Sequence, residues 1–113
     1  MQFIKTLFQT DSSNISAVEA NERIANGATV VDVRQQQEYV DGHIKGAKLI
    51  PLNELSSRMN ELPKDRELVI VCRSGSRSSV ATRQLNGAGY NAVNLSGGMI
   101  AWSGARLPIK RGR

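Results

Sequence analysis

The single cysteine of this chain, Cys72, lies at a predicted junction between a strand and a helix. The apolar run at residues 68–71 precedes it, and such a run is typical of a strand buried on both faces of a parallel sheet. The small and cationic residues 73–78 follow and lead into a helical stretch. Inward-facing backbone N–H groups and the positive end of a helix both stabilise a thiolate relative to a thiol. The sequence therefore predicts that Cys72 is a nucleophile.

The composition restricts the other chemistry open to this chain. Its 113 residues suit a single domain, and one cysteine excludes an internal disulfide. One cysteine and one histidine cannot supply the ligands of a usual zinc site, so we expect no metal and no cofactor. No stretch approaches the ~20 apolar residues of a membrane span, and residues 1–8 are too short and too polar for a secretory signal. We therefore expect a soluble, cytoplasmic protein that binds no membrane.

Charge is distributed unevenly along the chain. Residues 1–67 carry a net charge of −2, whereas residues 68–113 contain seven basic residues and no acidic one. The half that contains Cys72 should therefore attract a small anion. Aromatic residues are few and are not interleaved with the basic ones, which argues against a nucleic-acid partner. We expect the basic residues of the C-terminal tail, 106–113, to form a frayed, solvated end.

Helix and strand patterns alternate along most of the sequence. A capping box at Ser16 and Glu19 predicts a helix that ends near residues 26–27. Asn53 is placed to cap a further helix whose apolar residues lie between 55 and 62. We predict strands at 29–33, 48–50, 68–71 and 92–95, a turn at 42–46, and later helices around 81–88 and 97–102. This alternation predicts an α/β fold with a parallel sheet covered on both faces.

In such a sheet, ligands bind beyond the carboxyl ends of the strands. Cys72 ends one predicted strand, and Asp32 and Arg34 end another, so all three should lie near the functional edge. We expect Asp32 and Arg34 to be a structural ion pair that supports the loops rather than a pair that contacts the substrate. His43 lies in a predicted turn, and Trp102 lies in the last helix; both are interpreted as packing residues.

Five segments together resemble a single-domain rhodanese, a member of the thiosulfate sulfurtransferase family. They are residues 30–34 (VVDVR), 38–39 (EY), 42–47 (GHIKGA), 72–78 (CRSGSRS) and 95–102 (LSGGMIAW). The resemblance covers about residues 14–105 and implies one domain over 1–113 with a basic tail at 106–113. It departs from the family pattern at residues 35–37 and at Lys45, both away from the cysteine loop. It implies a five-stranded, mainly parallel sheet with helices on both faces.

The resemblance also implies a reaction in which Cys72 takes a sulfane sulfur from an anionic donor such as thiosulfate and passes it to cyanide or a thiol. Arg73 and Arg77 are expected to bind the donor's sulfonate oxygens. The hydroxyls of Ser74, Ser76 and Ser78 are expected to donate hydrogen bonds. Gly75 permits a positive φ, so that neighbouring N–H groups can converge on the sulfur. No general base is needed in this scheme.

Two other functions remain as alternatives at this point. The first is a persulfide carrier that docks on a protein acceptor, which would suit the small size and the cationic half of the chain. The second is phosphatase or arsenate chemistry. Cysteine phosphatases place five residues between the nucleophile and the arginine that grips phosphate, whereas four lie between Cys72 and Arg77. The shorter loop favours a cradle for one sulfur atom.

Overall fold

The computed structural model describes residues 13–113. Their five strands form one parallel sheet. In spatial order the strands are β1, β5, β4, β2 and β3, and each adjacent pair is parallel. Their bounds are β1 Asn14–Ile15, β2 Thr29–Asp32, β3 Lys48–Leu49, β4 Glu67–Val71 and β5 Asn91–Leu95. The α/β class and the parallel sheet are therefore confirmed, and the four strands predicted from sequence patterns are all present.

Helices cover both faces of the sheet, as predicted. They are α1 Ala17–Ala25, α2 Gln36–Asp41, α3 Leu55–Arg58, α4 Ser76–Gly87 and α5 Gly98–Gly104. Single 3₁₀ turns at Leu52–Glu54 and Met59–Glu61 flank α3. Among residues 13–113, no helix has the length and apolar character needed to cross a membrane.

The central strand, β4, contributes to two separate cores. Val69 and Val71 belong to a cluster that includes Ala20 of α1 and Trp102 of α5. Leu68, Ile70 and Cys72 belong to the other cluster, with Ala81 and Leu85 of α4 and Leu55 of α3. Successive side chains of a strand point to opposite faces, so the run at 68–71 is apolar throughout because both faces are covered. The carboxyl end of this buried strand delivers Cys72 to the edge of the sheet.

Local signals predicted α1 well. The Ser16 side chain caps the helix by accepting a 3.1 Å hydrogen bond from the backbone N–H of Glu19. The prediction for Asn53 was wrong, because α3 begins after Glu54 and has no side-chain cap. Asn53 lies in the preceding 3₁₀ turn, and its amide oxygen accepts a 3.4 Å hydrogen bond from the side-chain amide of Gln35.

Two elements have no counterpart in the sequence predictions. Helix α2 has no residue that is fully buried, so it lacks the apolar stripe that periodicity arguments require. Strand β1 is only two residues long, and it is recognised as a strand only by its hydrogen-bonded pairing with β5. The segment at residues 1–8, predicted not to be a secretory signal, lies outside the described residues.

The prediction of a frayed C-terminal end was wrong. The N–H of His43 donates to the carbonyl of Lys110 at 2.9 Å, and the N–H of Lys110 donates back to His43 at 2.8 Å. The indole N–H of Trp102 donates to the carbonyl of Pro108 at 2.8 Å. Backbone hydrogen bonds thus hold this segment against the body of the protein, although its cationic side chains remain exposed.

Candidate active site

Three hydrogen-bond donors lie within 3.3 Å of the sulfur of Cys72. The backbone N–H of Gly75 lies 3.1 Å from Sγ, and the backbone N–H of Ser78 lies 3.3 Å away. The Ser78 hydroxyl completes the cradle at 3.2 Å. The cysteine itself is fully buried, at 0% exposure. The arrangement is the one expected for a nucleophilic thiolate rather than for a cysteine held only by apolar contacts.

Opposing effects act on the ionisation of this thiol. Burial raises the pKa of Cys72, because a charged sulfur is poorly solvated inside the protein. Hydrogen bonds from the Ser78 hydroxyl, and from the backbone N–H groups of Ser78, Gly75 and Ser74, lower it by more. The pKa of Cys72 therefore lies below the ordinary value for a thiol. The hydrogen bonds of the cradle therefore outweigh the effect of burial on the pKa of Cys72.

Glycines determine the shape of the loop that forms this cradle. Gly75 has φ of +105° and immediately precedes α4, so its N–H turns back towards the sulfur. The start of α5 supports the other side of the loop, where the N–H of Met99 donates to the Cys72 carbonyl at 2.8 Å. This approach requires Gly98, since a Cβ there would lie 2.3 Å from the Cys72 carbonyl oxygen. The sequence indicated Gly98 only as the start of a helix, and its role in supporting the loop was missed.

The side chain of Arg77 forms an ion pair with a carboxylate. Its two terminal nitrogens each donate to one oxygen of Glu38, both at 2.8 Å. Glu38 lies in α2, the helix that sequence patterns did not predict. The guanidinium of Arg77 is thus already paired, and it does not reach towards the sulfur as a free anion-binding group.

The other loop residues predicted for the site differ in their exposure to solvent. Arg73, Ser74 and Ser76 are exposed, whereas Ser78 is fully buried against the sulfur. Ser74 contributes to the site through its backbone N–H, whose hydrogen bond lowers the pKa of Cys72. The side chain of Arg73 has no hydrogen bond or ion pair within residues 13–113, so its guanidinium is available to an incoming anion. Of the three serines in the loop, only Ser78 brings its hydroxyl to the sulfur.

Asp32 and Arg34 form the structural pair that the sequence suggested. Arg34 donates to both oxygens of Asp32, with Nε–Oδ1 at 2.9 Å and Nη2–Oδ2 at 2.8 Å. Both residues are buried, and Arg34 also donates to the carbonyl of Gly42 at 2.7 Å. Asp32 lies beside Val71 in the sheet register. The pair therefore braces the edge next to Cys72 without touching the sulfur.

His43 and Trp102 are packed as the sequence interpretation expected. The His43 ring stacks on Tyr39 with a centroid distance of 3.7 Å, and its Nδ1 lies 2.7 Å from the Tyr39 carbonyl. Trp102 is buried in the core beneath α5. Within the part of the chain that the structure describes, no cluster of three His, Cys, Asp or Glu side chains could hold a metal ion.

The fold and the site together define the class of protein, which is a parallel α/β sheet with a single cysteine held in an amide cradle at its carboxyl edge. The rhodanese-like domain model matches residues 16–105 of this chain. A sulfurtransferase from Allochromatium vinosum is 42% identical over 100 residues, covering 86% of this chain and 94% of that protein. The protein therefore belongs to the rhodanese-like domain family, a family of sulfurtransferases.

Two further relatives extend the comparison. The crystal structure of a rhodanese-related protein from Thermoplasma volcanium superposes with a TM-score of 0.82 at 32% identity, covering 86% of this chain and 96% of that one. YrkF of Bacillus subtilis, whose name proposes a sulfur-carrier role, is 42% identical over 76 residues. That match covers 66% of this chain and 41% of YrkF. The fold is thus shared with relatives whose names refer both to sulfur transfer and to sulfur carriage.

Proposed function

We propose that this protein is a thiosulfate sulfurtransferase that works through a persulfide on Cys72. The Cys72 thiolate attacks the outer sulfur of thiosulfate, a new S–S bond forms, and sulfite leaves with the electron pair of the bond that breaks. Cyanide or a thiolate then attacks the outer sulfur of the persulfide. This second step releases thiocyanate, or the persulfide of the acceptor, and regenerates the Cys72 thiolate. No external oxidant, reductant or cofactor is required.

The observation that carries this proposal is the cradle around Sγ. Its donors, the N–H groups of Gly75 and Ser78 and the Ser78 hydroxyl, all lie within 3.3 Å of one sulfur atom. Such donors stabilise negative charge both on the attacking thiolate and on the thiolate that leaves in the second step. A reducing compartment such as the cytoplasm suits this chemistry, because it keeps the lone cysteine reduced between turnovers.

The surroundings of the sulfur support an anionic donor. Arg73 is exposed directly after the nucleophile and has no carboxylate partner among residues 13–113. Arg77 contributes positive charge nearby, although its guanidinium is shared with Glu38. Since Cys72 has no exposed surface, the site must open before the donor can reach the sulfur. A sulfonate bound by Arg73 would hold the donor beside the cysteine loop.

The test is mass spectrometry of the protein after incubation with thiosulfate. Sulfur transfer is expected to add one sulfur, about 32 Da, to Cys72. Added cyanide should then remove the adduct and yield a matching amount of thiocyanate. Cys72→Ser should show neither the adduct nor the product, and Ser79→Ala, which alters the same helix away from the sulfur, should behave like the parent protein. An unchanged mass after thiosulfate treatment would refute the proposal.

Exposed groups around the loop favour a second candidate function, a persulfide relay that docks on a protein acceptor. Ile100 is 53% exposed, and its N–H donates to the Arg73 carbonyl at 3.1 Å. An apolar side chain beside an exposed arginine is a usual pair of contacts in a protein interface. A relay would load with sulfur as above but discharge slowly to cyanide, and Ile100→Ser would slow discharge to a protein acceptor only. Rapid, complete discharge to cyanide would favour the small-molecule enzyme instead.

A further inference from the structure

The C-terminal segment forms one wall of a cavity beside the cysteine loop. The cavity has a volume of about 530 Å³, and its lining includes Arg73 on one side and Ile109 and Arg111 of the segment on another. Sites for small organic molecules usually measure roughly 300–1,000 Å³, so this space exceeds what a sulfur oxyanion needs. The cavity is therefore large enough for a second, organic substrate next to Arg73, the residue that follows Cys72.

Backbone hydrogen bonds determine which side chain of the segment faces the cavity. Lys110 exchanges two hydrogen bonds with His43, and the N–H of Gly112 donates to the carbonyl of Val40 at 2.8 Å. Consecutive side chains on an extended segment point in opposite directions. Arg111 accordingly lines the cavity, whereas Lys110 does not.

Internal partners already neutralise two of the charged groups in the lining. Arg34 is paired with the buried Asp32 at 2.8 Å. Glu38 is paired with Arg77, also at 2.8 Å. Neither Arg34 nor Glu38 therefore offers an unshared charge to a ligand.

The remaining charged groups leave the cavity positive. The guanidinium groups of Arg73 and Arg111 have no hydrogen-bonded or ionic partner within residues 13–113. Asp41 is the one acidic group left in the lining, and its carboxylate accepts a 2.9 Å hydrogen bond from Gln37. Two unpaired guanidinium groups around a cavity suit a carboxylate, which can accept paired hydrogen bonds from each planar fork.

We propose that Arg111, together with Arg73, binds the carboxylate of a small acceptor thiol in this cavity. The inference rests on the proposed function and assigns its acceptor class. The acceptor thiolate attacks the outer sulfur of the Cys72 persulfide, a new S–S bond forms, and the S–S bond to Cys72 breaks with its electron pair returning to Cys72. Arg111 lies beyond residues 16–105, so the family match does not include it.

The experiment compares two acceptors and two charge-removing variants. Cys72 is first loaded with thiosulfate, and loading is verified by mass. Discharge is then measured with mercaptosuccinate, a thiol with two carboxylates, and with thioglycerol, which is uncharged. Arg111→Gln should raise the KM for mercaptosuccinate about fivefold and leave that for thioglycerol unchanged. Lys110→Gln removes an equal charge one residue away. It should change neither the KM for mercaptosuccinate nor the KM for thioglycerol.

A third variant, Asp41→Asn, tests the same cavity by a change of opposite sign. Asp41→Asn removes the one unshared negative charge of the lining, so it should lower the KM for mercaptosuccinate. Equal effects of Arg111→Gln and Lys110→Gln would mean that only net charge matters and would overturn the role of Arg111. If Arg111→Gln loads with sulfur and its KM for mercaptosuccinate is unchanged, the role of Arg111 is overturned. The sulfurtransferase proposal would then still stand. Failure of the parent protein to load would overturn the sulfurtransferase proposal and this inference together.

Discussion

At the scale of single residues, the chemistry of this protein depends on a competition at one sulfur atom. Burial favours the neutral thiol of Cys72, and the donors of the cradle favour the thiolate. The donors prevail because they include a hydroxyl as well as backbone N–H groups that the loop already points inward. Ser78 is the one residue in this loop that contributes both its side chain and its backbone. Its hydroxyl is thus the part of the cradle that a substitution can remove without altering the loop.

Ser78→Ala should raise the pKa of Cys72, because one donor to the thiolate is lost while the backbone donors remain. The ultraviolet absorbance of the thiolate, followed as a function of pH, measures this shift without requiring a reagent to reach the buried sulfur. At a fixed pH between the two midpoints, the variant should load with sulfur more slowly.

Ser79→Ala is the matched control for Ser78→Ala. Ser79 lies in the same turn of α4, but its hydroxyl accepts a hydrogen bond from Arg83 and does not contact the sulfur. Its thiolate titration should coincide with that of the parent protein. Identical midpoints for all three proteins would show that the hydroxyl has no effect on ionisation.

At the scale of elements, two turns meet at the active site and support each other. The loop after β4 supplies the donors, and the start of α5 binds the loop carbonyls of Cys72 and Arg73 through the N–H groups of Met99 and Ile100. Gly98 allows this close approach and has φ of +54°. The last helix is therefore a positioning element for the cradle as well as a cover for the core.

Gly98→Ala should destabilise the protein by about 3 kcal/mol and abolish sulfur loading, because the added Cβ would collide with the carbonyls of Cys72 and Arg73. Urea unfolding measures the loss of stability, and the mass of Cys72 after thiosulfate treatment measures the loss of loading. Gly104→Ala in the same helix has open space for its Cβ and should change the free energy of unfolding by less than about 1 kcal/mol. A Gly98→Ala variant as stable and active as the parent would contradict this account.

At the scale of the whole molecule, the pair between Glu38 and Arg77 joins the two layers across the carboxyl edge of the sheet. Helix α2 packs through Tyr39 on the cluster that contains Trp102, whereas α4 packs through Leu85 on the opposite cluster. The pair therefore links elements on opposite faces of the sheet near the cysteine loop. The docked C-terminal segment likewise connects the end of the chain to the turn that follows α2.

Glu38→Gln should reduce the free energy of unfolding at neutral pH by about 1 kcal/mol, a modest value because both side chains are partly exposed. The hydrogen bond from Arg77 lowers the pKa of Glu38 from 4.5 to about 2. A lowered pKa means that the stabilisation is complete above pH 4.5 and is lost as the pH falls towards 2. Urea unfolding at pH 7 and at about pH 3 should show the difference between parent and variant shrinking.

Asp41→Asn provides the control for Glu38→Gln, since Asp41 lies in the same helix and accepts only an amide hydrogen bond from Gln37. Its effect on the free energy of unfolding at neutral pH should be smaller than that of Glu38→Gln. A constant difference between the parent protein and Glu38→Gln from neutral to acidic pH would mean that Glu38 is not held ionised by Arg77.

The sequence alone determined the α/β class, four of the five strands and the glycine that turns the cysteine loop. These features follow from short-range patterns: an apolar run that ends in a cysteine, a glycine where φ must be positive, and a serine that caps a helix. Each depends on residues only a few positions apart, so the pattern is visible before the chain folds. The likeness of several separate segments to rhodanese then gave the family.

Only the tertiary structure decided which charges are free. Arg77 and Glu38 are 39 residues apart, and Lys110 meets His43 across most of the chain, so no local pattern could pair them. Their partners are chosen by the sheet order, which brings α2, the cysteine loop and the C-terminal segment to one edge. Long-range contacts thus paired Arg77, left Arg73 unpaired and placed Arg111 at the cavity, because charged side chains pair according to distance in space rather than in sequence.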